Sequence, residues 1–273
     1  MGAMSDHHDG PGPDEHDLGL RHDLPRLLAA RPAAPARVGR RRVLGLLAGA
    51  GLVAVAGCAA AGGSGSSGAG IPEETAGPYP GDGTNGPNVL TESGVVRSDL
   101  RSSFGSLSGT AAGVPLAFDL TVVDAASGAA LPGATVYLWH CDRDGAYSLY
   151  DRADQNWLRG VQEAGADGRV GFTSIFPAAY SGRWPHAHFE VHPDLASATT
   201  GRNAAVTSQL ALPQDACELV YATEGYASSV RNLAQTSLER DTVFSDGYDS
   251  QLAAVTGDVT AGMRAALTIA VDA

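Results

Sequence analysis

Val114-Pro115-Leu116-Ala117-Phe118-Asp119-Leu120-Thr121-Val122-Val123-Asp124 is a run of apolar and β-branched residues closed by Ala126-Ser127-Gly128. Such a run bounded by turn formers predicts a strand followed by a turn. Residues 134–141 predict the next strand. Side chains alternate along a strand, so Ala134, Val136 and Leu138 share one face and Thr135, Tyr137 and Trp139 the other. Further strands are expected over residues 169–175, 185–191, 206–212 and 265–271, with Asp167-Gly168 as a turn between two of them. Helix is expected only over 213–222, which opens with a proline and an acidic residue, and over 226–238. Many short strands and little helix make an all-β sandwich with short helical segments near the C-terminus the expected fold. No internal repeat is visible.

All 18 basic residues are arginine, and the formal charge is -12. The lack of lysine excludes Schiff-base chemistry and any phosphate loop built on a lysine. The acidic balance argues against a nucleic-acid partner.

Residues 1–57 read as a leader and export signal. The first 36 are rich in Pro, Ala, His and Asp without an apolar period, so disorder is expected there. Arg40-Arg41-Arg42 is followed by an uncharged apolar stretch to Ala56, too short for a comfortable membrane span. The cluster resembles a twin-arginine export signal, and Val55-Ala56-Gly57-Cys58 resembles a lipobox that would acylate Cys58. Residues 58–70 are a Gly/Ser-rich tether, leaving 71–273 as the folded domain. The expected location is extracellular or lipid-anchored to the outer face of the membrane, with contact to the membrane only through Cys58. Cys141 and Cys217 remain as an even pair in an exported chain. They predict a disulfide worth about 4 kcal/mol in the chain-entropy model; two buried thiols are the alternative.

The segment from Tyr180 to Val191, Tyr-Ser-Gly-Arg-Trp-Pro-His-Ala-His-Phe-Glu-Val, carries the chemistry. Histidines two apart on a strand point to one face with α-carbons about 7 Å apart, and imidazoles at that spacing can converge on one metal. Ala187, Phe189 and Val191 alternate with them toward a packed side. His192 shares the parity of His186 and His188 but lies about 20 Å along the strand from His186, too far for the same ion.

Leu138-Trp139-His140, Gly145-Ala146-Tyr147-Ser148, Phe172-Thr173-Ser174-Ile175-Phe176-Pro177-Ala178-Ala179-Tyr180, Arg183 and His186-Ala187-His188 together resemble, in order and spacing, the intradiol ring-cleavage dioxygenases. The match is to the catechol and protocatechuate dioxygenase-like family in its short, secreted actinobacterial type. The resemblance implies a prealbumin-like sandwich and Fe(3+) held by Tyr147, Tyr180, His186 and His188. A phenol ionises near neutral pH only under a strong Lewis acid, and anionic oxygen donors favour ferric iron. Tyr180 is the ligand expected to leave when substrate binds. Arg183 is expected beside the substrate, stabilising negative charge; a structural ion pair is its alternative. Thr75-Ala76-Gly77-Pro78-Tyr79 resembles an early segment of these enzymes, and Tyr79 is either a pocket residue or part of a rigid turn.

The implied partners are a small aromatic diol and O2, with catechol, protocatechuate, hydroxyquinol and substituted relatives all left open, as is the oligomeric state. The gap from Tyr180 to His186 is shorter than in intracellular members, which predicts a more open site. Two other classes fit parts of the pattern. One is a non-catalytic prealbumin-like binding module. The other is a cupin-like Fe(II) enzyme using His186, His188 and Glu190.

Overall fold

The computed structural model describes residues 69–200 and 204–272. The expected leader, the export signal, Cys58 and the tether up to residue 68 lie outside them. Among the described residues no helix is long and apolar enough to cross a membrane.

Among the described residues eight strands form: β1 (Pro115–Asp124), β2 (Thr135–Trp139), β3 (Arg159–Glu163), β4 (Arg169–Ile175), β5 (His186–His192), β6 (Val206–Ala211), β7 (Ala254–Asp258) and β8 (Gly262–Val271). They make two four-stranded sheets, ordered β4-β1-β8-β7 and β3-β2-β5-β6. All pairings are antiparallel except β1 with β8, where Leu116 lies opposite Met263 and Asp124 opposite Val271.

Alternation decides the core. Leu116, Phe118, Leu120 and Val122 of β1 are buried against Phe172 of β4 and Ala265 and Ile269 of β8, and from the facing sheet against Val136, Leu138, Ala187, Phe189, Val191 and Leu210. Each large side chain so buried contributes roughly 1.5–3 kcal/mol of transfer free energy. The first sheet turns its other face to solvent through Ala117, Asp119, Arg264 and their neighbours.

The second sheet is buried on both sides. Every residue of β2 and β5 is buried, because Tyr137, Trp139 and Val161 pack outward against Val89, Leu90, Val95 and the loop after β2. That second covering keeps the polar residues of β5 out of water, and the site lies there.

Six strands lie where the sequence predicts them. β3 and β7 do not, for a physical reason: Arg-Gly-Val-Gln-Glu has one apolar side chain, and β7 is an exposed sheet edge with almost no apolar alternation. The described residues also form three helices: α1 (Leu195–Thr200), which was not expected, α2 (Gln214–Tyr221) and α3 (Ala227–Leu233). α3 stops short of the expected 238. Beyond it come single 3-10 turns at Leu238–Arg240 and Phe244–Asp246.

The expected disulfide is not formed. Cys141 and Cys217 are both buried free thiols. Cys141, just past β2, packs in the outer cluster with Tyr147 and Ala178, whereas Cys217 on α2 packs in the main core. Each sulfur faces a different backbone carbonyl, Ala178 at 3.8 Å and Leu212 at 3.9 Å. They serve as small apolar side chains.

Candidate metal centre

β5 places His186 and His188 on its outer face, where the plane of Trp139 stacks on His188 with ring centroids 5.1 Å apart and 7° between planes. In the sheet register His188 lies opposite Trp139 on one side and Gln209 on the other. The loop after β2 delivers Tyr147, which is 2% exposed. Its peptide N–H donates to Asp151 Oδ2 at 2.7 Å, and the next residue, Ser148, donates from its hydroxyl to the carbonyl of Trp157 at 2.6 Å.

Tyr180 arrives from the loop after β4. α3 holds that loop: Ser229 Oγ accepts from Ala179 N at 3.1 Å, and Asn232 Nδ2 donates to the Ala179 carbonyl at 2.8 Å. Gly145, with φ of 90°, sits where a Cβ would come within 3.1 Å of Tyr180 Cβ. This close approach accounts for the glycine of the Gly-Ala-Tyr-Ser segment.

Four polar atoms thus form a closed ring. Tyr147 Oη lies 3.5 Å from Tyr180 Oη, which lies 3.1 Å from His186 Nε2; that atom is 3.1 Å from His188 Nε2, itself 3.3 Å from Tyr147 Oη. Nitrogen and oxygen donors about 2.0–2.2 Å from a shared ion are themselves about 3–3.5 Å apart, so the set fits a single metal ion. His186 Nδ1 donates to the Trp184 carbonyl at 2.5 Å, leaving the Nε2 lone pair free to face the ring's centre. His188 Nδ1 is buried with no hydrogen-bond partner.

Burial pushes the Tyr147 phenol well above its usual range, with Tyr180 adding to the effect, and pushes Tyr180 up to about 12. Burial, assisted by Arg183, holds His186 well below the ordinary imidazole range. Burial holds His188 there too, assisted by His186 and then by Arg183. Without a cation all four groups are therefore neutral, and a metal binding here must displace phenol protons. Among the described residues no three His, Cys, Asp or Glu side chains group as a metal site, so the phenols are essential to this one. Glu190, the carboxylate that a cupin-like site would use, accepts from His192 at 3.1 Å.

Arg183 is buried and bound on two edges. Its Nε donates to Asp241 at 2.9 Å and NH2 to Gln209 Oε1 at 2.6 Å, while NH1 lies 3.4 Å from His186 Nε2. The structural ion pair weighed for it is formed with Asp241, while its remaining edge reaches the ring of donors. Tyr79 is half-buried with its ring 4.9 Å from that of Tyr147, beside the ring of donors. Gln209 Nε2 donates to the Thr75 carbonyl at 2.8 Å, tying this early segment to Arg183.

Sequence reading missed Gln209, Asp241 and the Trp139 stack. Gln209 is legible only once the pairing of β5 with β6 is known. Asp241 lies in the tail, where no motif marked it.

A family model described as Dioxygenase matches residues 86–221, which include all four ring donors and Arg183 but not Asp241. Among solved structures, an intradiol ring-cleavage dioxygenase from Tetranychus urticae is 23% identical, with 75% of this chain and 94% of that chain covered and a TM-score of 0.57. A second dioxygenase crystal structure is 22% identical over 74% of this chain and 93% of that one, also at 0.57. The dioxygenase domain of a dioxygenase and carbohydrate-binding protein fusion from Streptomyces sp. SirexAA-E is 23% identical over 74% of this chain and 97% of that chain, at 0.48. The two likenesses with a TM-score of 0.57 carry the sandwich, and the family match carries the chemistry: the chain belongs to the intradiol ring-cleavage dioxygenases and is an oxidoreductase.

Proposed function

We propose that Tyr147, Tyr180, His186 and His188 hold one non-haem Fe(3+), and that the enzyme cleaves a catechol-type diol between its hydroxylated carbons to give a muconate-type diacid. The carrying observation is the closed ring of two phenol oxygens and two imidazole nitrogens spaced 3.1–3.5 Å apart. Two oxygen donors that bind as anions favour the ferric state. Both atoms of O2 end in the product, one in each new carboxyl group, so no external reductant is needed.

When bound, a ferric ion held by these four residues would supply Lewis acidity toward the diol. The residues do the rest. Tyr147, fully buried and anchored through its peptide N–H, stays in place. Tyr180 is half-buried, and burial pushes its pKa up to about 12, so its Oη would hold a proton firmly when not bound to a metal. It is therefore a fitting acceptor for a diol hydroxyl proton. Arg183 keeps its charge at any pH of interest, so its NH1 edge offers fixed positive potential to negative charge developing on the substrate. Tyr79 presents a ring face beside Tyr147 against which an aromatic substrate can pack.

The arginine cluster and apolar stretch ahead of Cys58 support export as the setting of this reaction, and cell fractionation with and without Cys58→Ser tests it. The activity is tested on purified chain loaded with ferric iron. Expected are one iron per chain, a red-brown phenolate absorption, and one O2 consumed per diol with a dicarboxylic product. Catechol, protocatechuate and hydroxyquinol form the substrate panel. A colourless protein that consumes no oxygen with any of them overturns the reading.

A further inference from the structure

We propose that Asp241 is a positioning residue that sets both Arg183 and His186 at the metal centre. The proposal rests on the four-donor reading above and extends it to a residue outside the segment that the family model matches.

Asp241 is completely buried. Its Oδ2 accepts two bonds from adjacent residues, Arg183 Nε at 2.9 Å and the Trp184 peptide N–H at 2.6 Å. The carbonyl of that same Trp184 accepts from His186 Nδ1. One carboxylate oxygen therefore fixes the guanidinium directly and, through the Trp184 backbone, the ring that must present Nε2 to a metal. Its other oxygen, Oδ1, accepts from Val243 N at 2.9 Å and Phe244 N at 3.3 Å, and the ring of Phe244 stands 6.5 Å from that of His186. A second anchor, Gln209 at NH2, completes the clamp and leaves only NH1 of Arg183 facing the ring of donors. Trp184 cannot relax this arrangement by turning, because its indole N–H is tied to the Leu212 carbonyl at 2.8 Å.

A hydrogen-bonded carboxylate fixes tautomer and direction in ligand histidines, and loss of such outer partners costs about 10–100-fold in metal affinity or activity. Asp241 exerts that control one peptide further out. Asp241→Asn keeps an oxygen for the Val243 and Phe244 amides while removing the charge and one acceptor, so the local turn retains its cap.

The test uses the full chain in two states. In the metal-free chain, nitrogen NMR of the histidine rings reads His186 as the Nδ1–H tautomer, and Asp241→Asn makes it a mixture of both tautomers. In the ferric chain, the same variant shifts the phenolate absorption, speeds iron loss to a chelator about 10–100-fold and lowers kcat more than it changes KM. A variant that merely melts earlier, with tautomer and absorption unchanged, overturns the proposal. So does an Nε2–H tautomer for His186 in the unsubstituted chain, a measurement that needs no variant to fold. If the unsubstituted chain takes up no iron, the metal reading fails, while the tautomer result still reports on Asp241 alone.

Discussion

Gly77 has φ of 74° and lies so close to His188 that a Cβ there would come within 3.1 Å of the ring's Cε1. Backbone conformation and proximity make separate demands for glycine here, and two substitutions separate them. Gly77→Ala is expected to cost about 1–2 kcal/mol from the left-handed backbone, a fall in Tm of about 2–8 °C, and also to push on the imidazole. Gly128→Ala, at φ of 71° with open space around it, carries the same backbone cost far from the site. Calorimetry should find similar losses for both, while only Gly77→Ala changes the visible absorption of the ferric protein. Equal spectra for the two variants would remove Gly77 from the site.

The two phenols differ in setting, and their loss should differ too. Tyr147 is buried and anchored at its backbone, whereas Tyr180 is half-buried beside Arg183. Removing a direct ligand should cost at least the upper end of what outer partners cost, so Tyr147→Phe is expected to weaken ferric binding on the order of 100-fold. Tyr180→Phe is expected to hold iron better than Tyr147→Phe, with a changed colour, yet to lose turnover because its proton acceptor is gone. Chelator competition and oxygen uptake measure the two properties separately. Equal loss of iron in both variants would contradict the division of roles.

Much of this was readable in the residues themselves. The 115–124 strand, the two faces of 134–139 and the alternation of Ala187, Phe189 and Val191 with the histidines follow from period-two patterning, which depends on local sequence alone. The ring donors were readable because each lies in a short segment whose order and spacing resemble those of a known family. Gln209, Asp241 and Arg159 escaped because each is defined by a partner 22 or more residues away, reached only through sheet register or a long loop. The cysteines misled for the converse reason: an even count says nothing about which side of a sheet each sulfur faces.

Arg159 shows what such long-range partners stabilise. It is fully buried and its bonds go to neutral oxygens: Ser148 Oγ at 2.9 Å, the carbonyls of Ser148 at 2.8 Å and of Tyr79 and Pro80 at 2.9 Å each, and Tyr137 Oη at 3.3 Å. One guanidinium thus joins the loop carrying Tyr147 to the segment carrying Tyr79. Arg159→Met strands several buried carbonyls and is expected to cost on the order of 3–5 kcal/mol in urea unfolding. Arg159→Lys should recover little, because an ammonium cannot reproduce the planar fork. A methionine variant within 1 kcal/mol of the parent would show the joint to be dispensable.

His140 gives the fold a pH dependence of its own. It is buried between the Cys141 carbonyl, 2.7 Å from Nδ1, and Ser174 Oγ, 2.7 Å from Nε2. Burial lowers its pKa to about 4 from an ordinary value of 6.5. The unfolded chain therefore takes up a proton at this side chain below pH 6.5, whereas the folded chain resists until about pH 4. In that window the unfolded state binds more protons, so stability rises with pH. The contribution is complete above 6.5 and is lost progressively as pH falls toward 4, amounting to about 3 kcal/mol. His140→Gln keeps an amide able to bond both neighbours and does not titrate. Metal-free parent and variant should thus differ in unfolding free energy by an amount that shifts by about 3 kcal/mol between pH 7 and pH 4, with the carboxylates cancelling in the comparison. A difference that stays constant across that range would mean that His140 takes up its proton as readily in the fold as in the unfolded chain.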